Sequence, residues 1–256
     1  MAVVEIAIMV FFWGIIMTNK MTKFVEQLKD AHKKEEIWII GTGKSLDDFP
    51  LDFFDNKISI AMNGAIWKYE NCTYWLGHHE FWRLYLRDKK PELLGKCIIG
   101  YPFPGPFEKD RILNPEEFFL ELTSEPYWLN YANAGIFNES IAKASLKIIT
   151  GMEENIKMSF HAIQSVIHLA IQVAFLMGAK KITLTGCENK KFDNLSSRAE
   201  LGRKYPGAPY IGIYKKMPAV DKANKDLAKA LKEYDVELKK YFNKTTPYYE
   251  KGYCKV

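Results

Sequence analysis

The chain has 256 residues, of which 48% are hydrophobic and 26% are charged, and its formal net charge is +5 at pH 7. This composition predicts a folded domain with a full hydrophobic core and argues against wholesale disorder. Lysines occur as scattered pairs rather than as one dense stripe, which argues against a dedicated nucleic-acid-binding protein.

The four cysteines, Cys72, Cys97, Cys187 and Cys254, include no C-x-x-C pair, which argues against a zinc site. They lie beside apolar runs, so we expect buried, reduced thiols and a cytoplasmic protein. No residue is predicted as a metal ligand.

Residues 1–20 contain an apolar run, AVVEIAIMVFFWGIIM, which Glu5 interrupts. A membrane span requires roughly 20 apolar residues, and a signal peptide carries basic residues before its apolar run; neither pattern fits well. Two interpretations stay open. Residues 2–17 either form a short anchor that holds the body at the cytoplasmic face of a membrane, or they result from an upstream start codon, and the chain then begins at Met21.

Short apolar segments alternate with helical patterns over the rest of the chain. Helices are predicted at residues 24–34, 159–177 and 219–234, and strands at residues 37–40, 58–62, 73–76, 97–101, 181–185 and 236–242. Apolar strands that alternate with helices indicate one Rossmann-like α/β domain over residues 21–256. We expect a doubly wound, mostly parallel sheet with helices on both faces.

The helix predicted at residues 159–177 carries two histidines. His161 would lie in its first turn, where a helix amino end can hold an anion. We interpret His168 as a structural residue on a half-buried face.

Residues 102–157 are dense in proline and aromatic residues, as in YPFPGPFEKDRILNPEEFF. We interpret this region as a long loop or lid inserted in the domain, because its aromatic side chains need a surface to pack on.

The stretch IWIIGTGKSL joins the first strand to a glycine turn. It is not a P-loop, because the position of the first glycine is Trp38, and it is not a dinucleotide fingerprint, because the third glycine is replaced by Leu46. Gly41 and Gly43 would let backbone N–H groups approach an anion, and Ser45 would cap the next turn or donate to a phosphate. A tight turn without a ligand is the alternative.

A second block, SVIHLAIQVAFLMGAKKITLTGCE, holds a helix, a glycine stop, a strand and a Gly-x-acid end. Together with the glycine turn, it resembles the 6-hydroxymethylpterin diphosphokinase-like proteins, whose fold and two blocks the bacterial family 42 sialyltransferases share. The resemblance runs from about residue 36 onward and is weakest between residues 102 and 157. It implies a nucleotide-dependent transferase.

The resemblance also implies which residues surround the nucleotide. Gly41, Gly43 and Ser45 would line the phosphate or ribose pocket, and Asn63 would contact the nucleotide. The other implied binding residues are Ser165, Gly186 and Tyr210. For catalysis, His79 or Glu188 would act as the base, and Tyr214 or Tyr210 would steady the leaving phosphate. Most of these residues follow predicted strands, where open parallel sheets bind ligands.

The match to sialyltransferases breaks at Ile213. Their catalytic histidine follows a YIG segment, but this chain has Ile213 at that position and no histidine after His168. Sialyl transfer needs a general base to take the proton of the acceptor hydroxyl. Either His79 or Glu188 therefore serves as the base, or the reaction differs.

Three functions follow as expectations. The first is glycosyl transfer from a CMP-type nucleotide sugar to a hydroxyl acceptor. The second is diphosphate transfer from ATP to a hydroxymethylpterin-like alcohol, which would need Mg²⁺. The third is nucleotide binding without catalysis, which the missing base at Ile213 favours. No firm cofactor is predicted, and the acceptor and the oligomeric state are left open.

Overall fold

The computed structural model describes residues 25–43, 45–46, 49–78, 97–103, 127–133, 137–151, 160–162, 165–187 and 217–241. These residues form eight strands and three α-helices: β1 (Glu36–Ile40), β2 (Ile58–Met62), β3 (Tyr74–His78), β4 (Cys97–Phe103), β5 (Tyr127–Asn133), α1 (Glu139–Thr150), β6 (Phe160–Ala162), α2 (Val166–Leu176), β7 (Lys181–Thr185), α3 (Met217–Lys232) and β8 (Glu237–Lys240). Two short 3₁₀ helices cover Val25–Leu28 and Asn63–Trp67.

The strands form one sheet in the order β6-β5-β4-β3-β2-β1-β7-β8. Every neighbouring pair is parallel. From β1 the chain adds β2 to β6 on one side, and it then crosses back to add β7 and β8 on the other. The predicted α/β fold with a parallel sheet is confirmed, and the strand order reverses between β1 and β7.

Each face of the sheet carries its own hydrophobic core, because successive side chains of a strand point to opposite faces. Ile37 and Ile39 of β1 join the core that α1, α2 and α3 cover, whereas Trp38 and Ile40 join the core on the other face. All 11 residues of α2 are buried. Within the described ranges, the second face is covered by the segment after β1 and by the 3₁₀ helix after β2, so helices on both faces remain a prediction.

Six of the eight strands were predicted well. β2 and β7 have the expected bounds, and β1, β3, β4 and β8 differ from the predicted ranges only at their ends. Gly178, with a φ of 83°, follows the end of α2 as expected. The largely apolar segments of β1 and β2 are typical of buried parallel strands.

The helix predicted at residues 24–34 is wrong beyond its first turn. After the 3₁₀ helix Val25–Leu28, Asp30 and Lys34 adopt positive φ angles of 57° and 67°. The backbone amides of Asp30, His32 and Lys34 donate to the carbonyl groups at the end of α2. Pairing with a distant part of the chain therefore outweighs the local helical preference.

The helix predicted at residues 159–177 begins later than expected. Phe160–Ala162 forms strand β6, which pairs with β5, and α2 starts at Val166. His161 therefore lies in a strand and not in the first turn of a helix. A short apolar run does not distinguish a strand from a helix without knowledge of its neighbour.

The region predicted as one long loop, residues 102–157, contains regular structure. It includes β5 and α1 in full, and β4 runs into it as far as Phe103. The α1 helix begins at an Asn138 cap, whose side chain accepts a hydrogen bond from the Ile141 amide at 3.0 Å. Of the aromatic residues that suggested a lid, Tyr101 and Phe103 lie in β4.

Cys72, Cys97 and Cys187 are buried and form no disulfide with one another, as predicted. Cys254 and residues 1–20 lie outside the described part of the chain. Within that part, no helix combines the length and the apolar character that a membrane crossing requires.

Candidate functional site

Gly41 and Gly186 bring the ends of β1 and β7 into contact where the strand order reverses. The Gly41 amide donates to the Thr185 carbonyl at 2.8 Å, and the Gly43 amide donates to the Gly186 carbonyl at 2.7 Å. A Cβ atom on Gly41 would lie 2.2 Å from the Gly186 carbonyl oxygen. Glycine is therefore required at position 41 by the close approach of two backbones.

These hydrogen bonds change the expected role of the glycine turn. We expected the amides of Gly41 and Gly43 to approach an anion, but carbonyl groups at the end of β7 already accept from both. The two glycines thus serve the packing of the turn against β7. An anion bound in this crevice needs other donors.

The end of the glycine turn is buried. Ser45 is 0% exposed, so a ligand outside the turn would not reach its hydroxyl as the structure stands. Leu46 packs over Gly186, whose φ is 63°, and a Cβ on that glycine would lie 2.6 Å from the Leu46 Cγ. The Leu46 carbonyl accepts hydrogen bonds from Lys68 Nζ and from the Tyr69 hydroxyl. The turn is thereby tied to the segment that follows β2.

Asn63 begins that segment and combines two unusual features. Its φ is 47°, in the left-handed region that asparagine tolerates better than most residues. Its side-chain Oδ1 is buried and has no hydrogen-bond partner among the described residues. Leaving a buried acceptor unpaired costs about 1–3 kcal/mol. A strained residue with an unpaired polar atom at a strand end is a candidate binding residue.

Ser165 occupies the residue position just before the first turn of α2. Because β6 and β7 are parallel, the helix that connects them must begin at the carboxyl edge of the sheet, where β1 and β7 meet Gly41 and Gly186. The Ser165 side chain is half-buried and makes no capping hydrogen bond, and the first turn of α2 holds no acidic residue. Within the described part of the chain, neither Ser165 nor an acidic side chain of the first turn caps the first amides of α2, and a helix amino end in this state favours an anion.

Two residues of this region escaped the sequence analysis. Thr185 ends β7, and its Oγ1 is buried without a partner among the residues that the structure describes. Cys187 donates through Sγ to the Thr185 carbonyl at 3.2 Å and would lie 2.8 Å from a Cβ on Gly41. One feature of the sequence could have indicated Thr185: it is a polar residue directly before Gly186, the glycine that follows a buried strand.

The predicted site residues fall into three groups. Gly41, Gly43, Ser45 and Gly186 meet at the β1–β7 junction, and Asn63 follows β2, the neighbour of β1. Ser165 lies at the start of α2, which packs across β1, β2, β3 and β7. The remaining predicted residues, His79, Glu188, Tyr210 and Tyr214, lie outside the described residues.

The described residues contain no group of three or more His, Cys, Asp or Glu side chains that would hold a metal ion.

Comparisons of the chain with protein-family models, with curated proteins and with solved structures give no match. Fold and site therefore define the class: an α/β protein with an all-parallel sheet and a glycine-lined junction where its strand order reverses.

Proposed function

We propose that the chain is a Rossmann-like transferase that binds a CMP-type nucleotide sugar at the β1–β7 junction and transfers its glycosyl group to a hydroxyl acceptor. The observation that carries the proposal is the reversal of strand order between β1 and β7. In open α/β sheets, ligands bind outside the carboxyl ends of the strands at such a reversal. Asn63 and the amino end of α2 lie at the same carboxyl edge of the sheet.

In this proposal the phosphate of the nucleotide lies against the first turn of α2. The amides of Gly41 and Gly43 are engaged with β7, whereas Ser165 makes no capping bond. Backbone amides at a helix amino end, together with the partial positive charge of the helix, attract a phosphate. The Ser165 hydroxyl adds one further donor.

Asn63 contacts the nucleoside in this proposal. The residue is only half-buried, so its side chain can turn toward a ligand, and its Oδ1, which lacks a donor among the described residues, would then accept from the exocyclic amino group of cytosine. Pairing the two would remove the cost of the unsatisfied acceptor when the ligand binds.

The chemical step breaks the bond between the anomeric carbon and the phosphate oxygen of the donor, and it forms a bond to the acceptor oxygen. A base, His79 or Glu188, takes the acceptor proton, and CMP leaves with the bonding electron pair. Tyr214 or Tyr210 and the first turn of α2 stabilise the charge on the departing phosphate. The proline- and aromatic-rich stretch between β4 and β5 remains our prediction for a lid over the sugar.

Ligand titration tests the binding step. We expect CMP to raise the thermal unfolding temperature more than cytidine does, because cytidine lacks the phosphate that α2 would hold. The variant Ser165→Ala should weaken CMP binding, whereas Ser140→Ala, at an exposed position of α1, should not. If CMP, UDP and GDP all leave the unfolding temperature unchanged, the proposal is wrong.

Turnover then separates the candidate reactions. Release of CMP from a CMP-sugar supports glycosyl transfer, and Mg²⁺-dependent release of AMP from ATP with a hydroxymethylpterin supports the diphosphokinase instead. The replacement of the expected histidine by Ile213 favours a second candidate, a nucleotide-binding protein without catalysis. Stabilisation by CMP without turnover of any donor would support that candidate.

A further inference from the structure

Helices α2 and α3 are in contact through His168 and the Val220 carbonyl, and they carry three buried polar side chains, which we call the polar seam: His168 and Gln172 on α2 and Asn224 on α3. His168 and Gln172 are 0% exposed, and Asn224 is 1% exposed. The buried neighbours on both helices are largely apolar, such as Leu169 and Leu227. Leucine would fit these positions in an ordinary core, so the polar residues need a physical account.

The geometry of the helices places Gln172 and Asn224 at one level. Each helix leads into one of the parallel strands β7 and β8, so α2 and α3 run in the same direction. His168 Nε2 lies 3.5 Å from the Val220 carbonyl oxygen, which fixes the register of the two helices. Gln172 follows His168 by four residues, and Asn224 follows Val220 by four residues, so each lies one helical turn further along the same face of its helix.

Two members of the seam have partners, and the third does not. Gln172 Nε2 donates to the His168 carbonyl at 2.8 Å, and the His168 ring stacks on Phe137 with centroids 5.5 Å apart. Both Oδ1 and Nδ2 of Asn224 are buried without a hydrogen-bond partner among the described residues. An amide left in this state inside a core is destabilising at both of its polar ends.

The seam restricts what would satisfy Asn224. Burial excludes a large ligand, and the amide requires a partner that both donates and accepts hydrogen bonds. Burial also lowers the pKa of His168 from 6.5 to about 4, despite the nearby Val220 carbonyl, so the imidazole is uncharged at neutral pH. An uncharged, closed and polar site takes a small neutral molecule rather than an ion.

We propose that the polar seam is an internal hydration site, in which a water molecule is bound by the Asn224 amide and bridges it to His168 or Gln172. Buried waters commonly make about three hydrogen bonds to polar groups that lack protein partners. The water links α3 to α2 one turn after the His168 contact. The proposal does not depend on the nucleotide site, because no residue of that site takes part.

A crystal structure of the full chain at a resolution that shows ordered waters tests the proposal directly. We expect a water peak within hydrogen-bonding distance of the Asn224 amide and of a polar atom of α2. A direct bond from Asn224 to another protein group, or a dry seam without a peak, would overturn it.

Proton NMR in solution provides an independent measurement. In protein labelled with ¹⁵N at asparagine, the Asn224 side-chain NH₂ should show a nuclear Overhauser cross-peak to water. The sign of that cross-peak should be the one expected for a water molecule that stays bound. The exposed Asn71 serves as the internal control, since only fast-exchanging solvent reaches it. Asn224→Leu assigns the signal by removing it. An Asn224 NH₂ that shows no bound-water cross-peak contradicts the proposal.

Discussion

The Tyr69 hydroxyl donates a hydrogen bond to the Leu46 carbonyl at 3.0 Å. The same carbonyl accepts from the ammonium group of Lys68 and, at 3.2 Å, from the Phe49 amide. This carbonyl therefore joins the segment that carries Asn63 to the turn that packs on Gly186. The two candidate binding segments are held together through one backbone oxygen.

Tyr69→Phe should reduce the free energy of unfolding by about 1 kcal/mol. The change removes one buried hydrogen bond, and the Leu46 carbonyl keeps its other donors. Chemical denaturation measures the loss. Tyr234→Phe is the matched control, because its ring packs on Phe175 at 5.1 Å while its hydroxyl has no hydrogen bond to the described residues. Equal stability of the two variants would contradict the role assigned to Tyr69.

Gly41→Ala should reduce the free energy of unfolding by about 3 kcal/mol or more, since overpacking against fixed backbone has no easy relief. Its Cβ would meet the Gly186 carbonyl oxygen at 2.2 Å. The control is Gly151→Ala, where φ is −90° and the nearest atom to a Cβ is 3.5 Å away. That variant should be neutral or slightly stabilising. Comparable thermal unfolding temperatures for both variants would show that β1 and β7 do not approach so closely.

The contrast between β7 and β6 shows what the sequence alone predicts in this fold. β7 (KITLT) is buried at four of its five positions, is rich in β-branched residues and lies between Gly178 and Gly186, so its ends were predicted as they occur. β6 has three residues and exists only because β5 lies beside it. Local pattern contains no information about that neighbour, and a helical reading was equally consistent.

The candidate site shows the same division. The glycine turn and its position after β1 were visible in the sequence, because G-x-G after an apolar strand is a local pattern. The acceptors of the Gly41 and Gly43 amides belong to Thr185 and Gly186, which are distant in the chain. Whether the amides of a glycine turn bind an anion or pack on a strand depends on these distant acceptors. The burial of Ser45 is likewise a property of the packed turn and not of its sequence.

Protonation of His168 should destabilise the protein between pH 6.5 and pH 4. Desolvation lowers its pKa from 6.5 to about 4, so in this interval the unfolded chain binds a proton that the folded chain does not. This contribution to stability is complete above pH 6.5 and decreases as the pH falls, by about 3 kcal/mol in total.

Urea unfolding of the wild type and of His168→Gln over pH 4 to 7 measures this effect, because the carboxylates shared by both proteins cancel in the difference. The His168→Gln profile should be flatter. His32→Gln is the control. Burial also lowers the pKa of His32, but its ring is half-exposed and hydrogen-bonded to the Tyr74 hydroxyl at 2.9 Å. The difference between its pH profile and that of the wild type should therefore be smaller. Identical profiles for wild type and His168→Gln would show that His168 is accessible to protons in the folded state.

Substitutions of Asn63 separate its backbone role from its proposed contact with the nucleotide. Glycine adopts a φ of 47° without strain, whereas alanine at this angle should cost about 1–2 kcal/mol of stability. Both variants lack the amide, so both should weaken CMP binding, by about tenfold for a loss of 1.4 kcal/mol. Thermal unfolding without ligand and calorimetric titration with CMP measure the two effects. If Asn63→Gly binds CMP as tightly as the wild type, the nucleoside does not contact this amide. If the wild-type protein binds no nucleotide, the transferase proposal itself is wrong.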